Sequence, residues 1–134
     1  MTSFSHSTVP HVRVGPGLAG TLGDECVKLG VRRPLIVTDN GLVTLGLIEP
    51  IAGAISKQCA SLTIFDGVTA DPSEAVVEAA YTAAWDNNVD GVIAVGGGSS
   101  MDVAKVVSVL MVGDRSLAAM YGVDQVPPGR LPLF

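Results

Sequence analysis

The stretch Gly91-Val92-Ile93-Ala94-Val95-Gly96-Gly97-Gly98-Ser99-Ser100-Met101-Asp102-Val103-Ala104-Lys105 decides the fold. A short apolar run rich in β-branched residues stops at three glycines. A serine pair, an acid and a second apolar periodic run follow. Read physically, Gly91–Val95 is a buried strand, the glycines are a tight turn, and a helix runs from Ser100 to Met111. Glycines let a ligand touch bare backbone. A helix start offers N–H groups without intrahelical partners at the positive end of a dipole, a seat for a phosphate. The plainer alternative is a tight turn leading into a capped helix.

Upstream, strands and helices alternate. Asp71-Pro72-Ser73-Glu74 reads as a helix start, with Asp71 as N-cap, Pro72 at N1 and Glu74 at N3; Asn87-Asn88 ends that helix. Leu62–Phe65 reads as the strand before it. Pro50 opens a helix to about Cys59, and Leu35-Ile36-Val37 is a strand ending in the turn group Thr38-Asp39-Asn40-Gly41. A helix over Leu18–Leu29 suits Gly30 as its C-terminal cap. Val12-Arg13-Val14 suits a short edge strand. Leu117–Tyr121 suits a short helix, and Leu131–Phe134 reads as a strand just beginning, as if the chain were cut inside an element. This βα rhythm predicts an α/β, Rossmann-like fold, with a mostly parallel sheet and helices on both faces. Ligands of such sheets sit at the carboxyl ends of the strands, here the loops Thr38–Gly41, Asp66–Asp71 and Gly96–Ser99.

Composition narrows the function. The chain has 134 residues, 8 basic and 13 acidic, with net charge −5 and mean hydropathy +0.47. The acidic balance argues against nucleic-acid or anionic-membrane partners. No run approaches the roughly 18 apolar residues of a membrane span. A parallel sheet, apolar on both faces, explains the hydropathy, and a surface covered by another domain adds to it. Cys26 and Cys59 form no CxxC and read as reduced thiols of a cytoplasmic protein. No basic-then-apolar signal peptide opens the chain, and residues 1–11 read as a flexible lead.

A second glycine motif competes. Gly15-Pro16-Gly17-Leu18-Ala19-Gly20 matches G-x-G-x-x-G, and Asp39 follows about 20 residues on, as a dinucleotide fingerprint requires. Against it, the preceding strand is short and carries Arg13, and Pro16 removes an N–H that a phosphate loop would use. Gly97, Gly98 and Ser99, after the most apolar strand, are the stronger anion seat. Asp102 favours the helix dipole but would repel a phosphate, so it caps or orients the loop or meets neutral polar groups. Lys105 lies one turn on and suits an ion pair with it.

Gly96-Gly97-Gly98-Ser99-Ser100-Met101-Asp102-Val103-Ala104-Lys105 resembles the GGGSxxDxAK signature of iron-containing (group III) alcohol dehydrogenases. Leu35-Ile36-Val37-Thr38-Asp39, Phe65-Asp66-Gly67-Val68 and Asp71-Pro72-Ser73 resemble that family in order and spacing, so the likeness runs from about Val12 onward. It implies that residues 12–134 are the NAD-binding α/β domain that precedes an all-helical metal domain. It implies that Gly97, Gly98 and Ser99 hold the pyrophosphate and that Asp39 meets the adenosine ribose. A carboxylate there favours NAD over NADP. Asp71 stands where the family usually has Asn beside the cofactor, and Asp102 would face the nicotinamide end. In the full enzyme Fe²⁺ would polarise the alcohol oxygen while hydride passes to the nicotinamide. The iron ligands, an Asp and three His, are expected outside this chain, whose only histidines are His6 and His11. The implied partners are a small alcohol or aldehyde and, through Val12–Val14, a second copy in a homodimer. Other readings are a stand-alone nucleotide-binding module, or a maleylacetate reductase, glycerol dehydrogenase or dehydroquinate-synthase-like enzyme of the same fold. Ser99 weighs against the glycerol enzyme, whose loop continues with Lys; maleylacetate reductases tend to lack an acid at the Asp102 position.

Overall fold

Three short apolar runs form the sheet in the computed structural model, which describes residues 11–113, 116–122 and 125–134. They are β1 (Pro34–Val37), β2 (Thr63–Phe65) and β3 (Gly91–Ala94), all parallel, in the order β2-β1-β3. Every residue of β1 is buried, as a central parallel strand requires. Asp90 fixes its register against β3. One carboxylate oxygen accepts from the backbone N–H of Arg32 and Arg33 at 3.0 and 2.7 Å, and the other lies 3.3 Å from the Arg33 guanidinium. Pro34 then faces Gly91, and Ile36 faces Ile93.

Alternation sends successive side chains to opposite faces, and helices cover both. On one side Leu35, Val37 and Val92 pack with Val77, Ala80 and Ala84 of α4 (Glu74–Asp86) and Val103 and Val107 of α5 (Gly98–Leu110). On the other, Ile36 and Ile93 pack with Cys26 of α1 (Leu22–Lys28) and Ile55 of α3 (Glu49–Ser56). A short helix α2 (Asn40–Thr44) follows β1 directly. This is the doubly wound α/β arrangement expected from the sequence.

Several boundaries follow their local signals. Gly30, with φ 72°, ends α1: its N–H donates to Val27 O and the Val31 N–H to Cys26 O. Asn88, with φ 50°, closes α4 in the same way, through Trp85 O and Ala84 O. Leu131–Phe134 runs along β3: Val92 donates to Pro132 O, Phe134 to Val92 O and Ala94 to Phe134 O, with Leu133 opposite Val92.

Other expectations are corrected. Val12–Val14 is not a strand; it lies in the open, with Val14 92% exposed and Arg13 paired with Glu25 of α1 at 2.8 Å. Two valines do not make a strand without a ladder to join. The helix expected over Leu18–Leu29 opens as a 3₁₀ turn, Leu18–Thr21, before α1. Asp71 does not cap α4. It has φ 48°, and Ser73, extended, precedes the first helical residue Glu74. A cap residue is extended; Asp71 is left-handed, a conformation aspartate tolerates, whereas Ser73 has the extended torsions of a cap. The helix therefore starts later than the sequence pattern suggests. Residues 1–10 of the expected N-terminal lead, including His6, lie outside the described residues.

Candidate functional site

All three strands point the same way, so the loops after them share one edge. The order β2-β1-β3 also makes this a switch point. The chain leaves β1 for β2 through α3 on one face and reaches β3 through α4 on the other. A crevice opens between the ends of strands whose connections diverge in this way. Here it is a cleft of about 330 Å³ lined by Asp39, Val68, Thr69, Ala70, Gly97, Gly98, Ser99 and Ser100.

The turn after β3 forms one wall. Gly96 has φ 142°, and a Cβ on it would stand 2.6 Å from Ser100 Oγ and 3.5 Å from Asp39 Oδ2, so only glycine fits. Gly97, extended at φ −89° and ψ −165°, precedes the helix, and its carbonyl accepts the first helical bond, from Met101 N–H at 3.1 Å. The N–H groups of Gly98, Ser99 and Ser100 have no acceptor within the helix, and no side chain caps this end. A Cβ on Gly97 or Gly98 would meet nothing within 4 Å, so bare backbone faces open space. The helix begins at Gly98, two residues before the expected Ser100, because glycine and serine here take helical torsions directly.

Asp39 forms the opposite wall. Its Oδ1 accepts from Leu42 N–H at 3.0 Å and so caps α2; its Oδ2 lies on the side of Gly96. Asn40 Nδ2 donates to Asp66 Oδ2 at 3.0 Å and Asp39 bridges Gly67, which ties the first loop to the second. Beside Asp39, Thr38 is wholly buried and its hydroxyl has no hydrogen-bond partner among the described residues.

Asp71 and Asp102 stand apart from this group. With Pro72, Val77, Val103 and Val106 they line a second recess of about 420 Å³. The cleft and the recess follow one another along α5, and Ala70 and Asp71 are consecutive in the chain. Asp102 falls beyond the first turn of α5, since the helix starts early, and it pairs with exposed Lys105 at 3.2 Å. The pair is solvated and contributes little to stability. Near this recess the Tyr121 hydroxyl donates to Glu74 at 2.5 Å. That bond, with the charge of Glu74, raises the Tyr121 pKa above its ordinary value.

The structure thus brings together Asp39, Gly97, Gly98 and Ser99, and separately Asp71 and Asp102. Sequence reasoning placed Val68, Thr69 and Ala70 in a loop at the ligand edge and Ser100 at the helix start, without giving any of them a role. The competing Gly15–Gly20 motif follows no strand among the described residues and lines neither space. Among the described residues no group of three His, Cys, Asp or Glu stands ready for a metal ion, so the iron set implied by the resemblance does not fit them.

One wall of the cleft offers unpaired N–H donors and the other a carboxylate acceptor. That suits a ligand with an anionic group at one point and hydroxyls at another. The profile of the family described as "Iron-containing alcohol dehydrogenase" matches residues 10–134. The chain is 36% identical over 107 residues to the 4-hydroxybutyrate dehydrogenase of Cupriavidus necator, covering 80% of this chain and 28% of that protein. It is 36% identical over 109 residues to the long-chain-alcohol dehydrogenase 1 of Geobacillus thermodenitrificans, covering 81% and 28%. The sulfoacetaldehyde reductase of Bifidobacterium kashiwanohense, solved in complex with NAD⁺, superposes with a TM-score of 0.87 at 25% identity, over 99% of this chain and 35% of that one. The chain therefore spans about a third or less of these relatives' length, and within that span it belongs to the iron-containing alcohol dehydrogenases.

Proposed function

We propose that this chain is the cofactor-binding part of an NAD-linked, iron-dependent alcohol dehydrogenase. The observation that carries it is the uncapped start of α5 behind the bare Gly97–Gly98 backbone, facing Asp39 across one cleft. The N–H groups of Gly98 and Ser99, with the Ser99 hydroxyl, hold the pyrophosphate, and Gly97 gives it room. Asp39 Oδ2 accepts from the adenosine ribose, and its charge repels a 2′-phosphate. Asp71 and Asp102, in the neighbouring recess, face the nicotinamide end. When bound, the nicotinamide supplies hydride exchange with a small alcohol or aldehyde.

The relatives bear on each part of this. The C. necator and Geobacillus proteins are named as dehydrogenases, and the Bifidobacterium enzyme is described with NAD⁺. The iron would take its ligands from residues other than those described here. We further infer a cytoplasmic protein without nucleic-acid or membrane partners, on the acidic charge and the paucity of cysteine; a homodimer rests on the family resemblance alone, since Val12–Val14 forms no strand. No helix among the described residues is long and apolar enough to cross a membrane.

Titrating the 134-residue chain with NAD and with NADP, alongside an assay with a simple alcohol, tests the reading. The expected result is weak NAD binding, weaker NADP binding and no turnover. Turnover by this chain, or NADP bound as tightly as NAD, overturns it.

A further inference from the structure

The two cysteines stand on the face of the sheet packed by α1 and α3. Cys26 is wholly buried in α1, and Cys59, just after α3, is partly exposed. Gly23 brings the two helices together: a Cβ on it would stand 2.6 Å from the Ala54 carbonyl oxygen. Gln58 Nε2 donates to Asp24 Oδ1 at 3.1 Å across the same seam. Cys26 lies one turn beyond Gly23 and Cys59 directly follows Gln58, and both pack in the cluster of Ile36, Ile55 and Ile93. The Cys59 thiol donates to the Val31 carbonyl at 3.8 Å, and the Val31 N–H donates to the Cys26 carbonyl at 2.8 Å, so one residue bridges the two.

We propose that Cys26 and Cys59 are a modification site, a pair that a peroxide converts to a reversible intramolecular disulfide. Cys59 reacts first, because of the two it alone has exposed surface. The Cys59 thiolate attacks one peroxide oxygen; the S–O bond forms, the O–O bond breaks, and hydroxide leaves as water with the thiol proton. The Cys26 sulfur then attacks Cys59 Sγ; the S–S bond forms, the S–O bond breaks, and a second water leaves with the Cys26 proton. Two thiols are oxidised and one peroxide is reduced to two waters. Burial keeps both groups protonated, pushing the Cys26 thiol up to about 12 and the Cys59 thiol above its ordinary value. The reaction is therefore slow at neutral pH, and the second thiol, on the same seam, sets the product. The bond ties α1 to the end of α3 and touches none of the residues lining the cleft.

The test is hydrogen peroxide treatment of the protein under non-reducing conditions, followed by peptide mass mapping. The expected product is a Cys26–Cys59 cross-linked peptide lacking two hydrogens, undone by dithiothreitol, with Tm raised by several degrees. In Cys26→Ala, Cys59 goes on to sulfinic acid instead. A stable sulfinic acid on Cys59 of the unaltered protein, a cross-link between two chains, or both thiols intact after exposed methionines have been oxidised would overturn the proposal. These mass readouts on the unaltered protein need no variant to fold and no cofactor to bind.

Discussion

At the scale of single residues, Asp39 has two duties on two oxygens: Oδ1 caps α2 and Oδ2 faces the glycine turn. The two are separable by substitution. Asparagine caps a helix about as well as aspartate but carries no charge. Asp39→Asn should hold Tm and shift the NADP-to-NAD affinity ratio toward NADP by about tenfold, the scale of one hydrogen bond to a charged group. Asp39→Ala should shift the ratio similarly and also lose about 1 kcal/mol of stability with the cap. Calorimetric titration and thermal melts of both variants check this; an unchanged ratio in either removes Asp39 from the ribose. Its neighbour Thr38 behaves oppositely. A buried hydroxyl without a partner costs roughly 1–3 kcal/mol. Thr38→Val, nearly equal in volume, should therefore raise stability by about 1 kcal/mol in denaturant melts. A loss of that size would mean that the hydroxyl is satisfied in solution.

At the scale of elements, the glycine turn and α5 work as one piece. Gly97 has ordinary torsions and free space around its missing Cβ, so Gly97→Val should leave the melting curve unchanged and abolish dinucleotide binding. Gly17, at φ 75°, sits in the other motif. Gly17→Val should cost about 1–3 kcal/mol of backbone strain and leave binding intact. Fluorescence titration with NADH on both variants decides between the motifs, and the reverse outcome would move the phosphate seat to Gly17. The difference was legible beforehand in what precedes each motif: Gly91–Val95 is apolar throughout, whereas Val12–Val14 carries Arg13 and finds no ladder. The helix starts were less legible. Asp71-Pro72-Ser73-Glu74 looks like a capping box, and the cap fails because Asp71 takes a left-handed torsion that the local pattern does not reveal. Another contact out of reach of local patterns is that of Tyr121 with Glu74, 47 positions apart. The raised Tyr121 pKa means that this bond is present below the ordinary tyrosine value near 10 and lost as pH rises through the higher folded value. An ultraviolet phenolate titration should show one tyrosine ionising late, and Tyr121→Phe should remove that step.

At the scale of the whole molecule, the parallel sheet and its ligand edge at the strands' carboxyl ends were legible as soon as strands and helices alternated, because right-handed crossovers leave few ways to lay out such a sheet. Strand order, and with it the switch point, was not, since it depends on which face each crossover helix covers. Asp90 illustrates this: as a residue before a strand it is unremarkable in the sequence, yet it holds the registers of β1 and β3 together from 57 and 58 positions away. The same distance governs how the chain acquires its shape. β1 is the central strand, but its long partner β3 follows it by 57 positions, from Pro34 to Gly91. At roughly 5–20 residues per second of synthesis, several seconds pass between the two. During that interval an apolar strand has only the three-residue β2 to pair with, and Asp39 waits at its end for a wall that has not been made. The central strand is thus early in synthesis and late in closure, the order in which a chaperone finds most to hold.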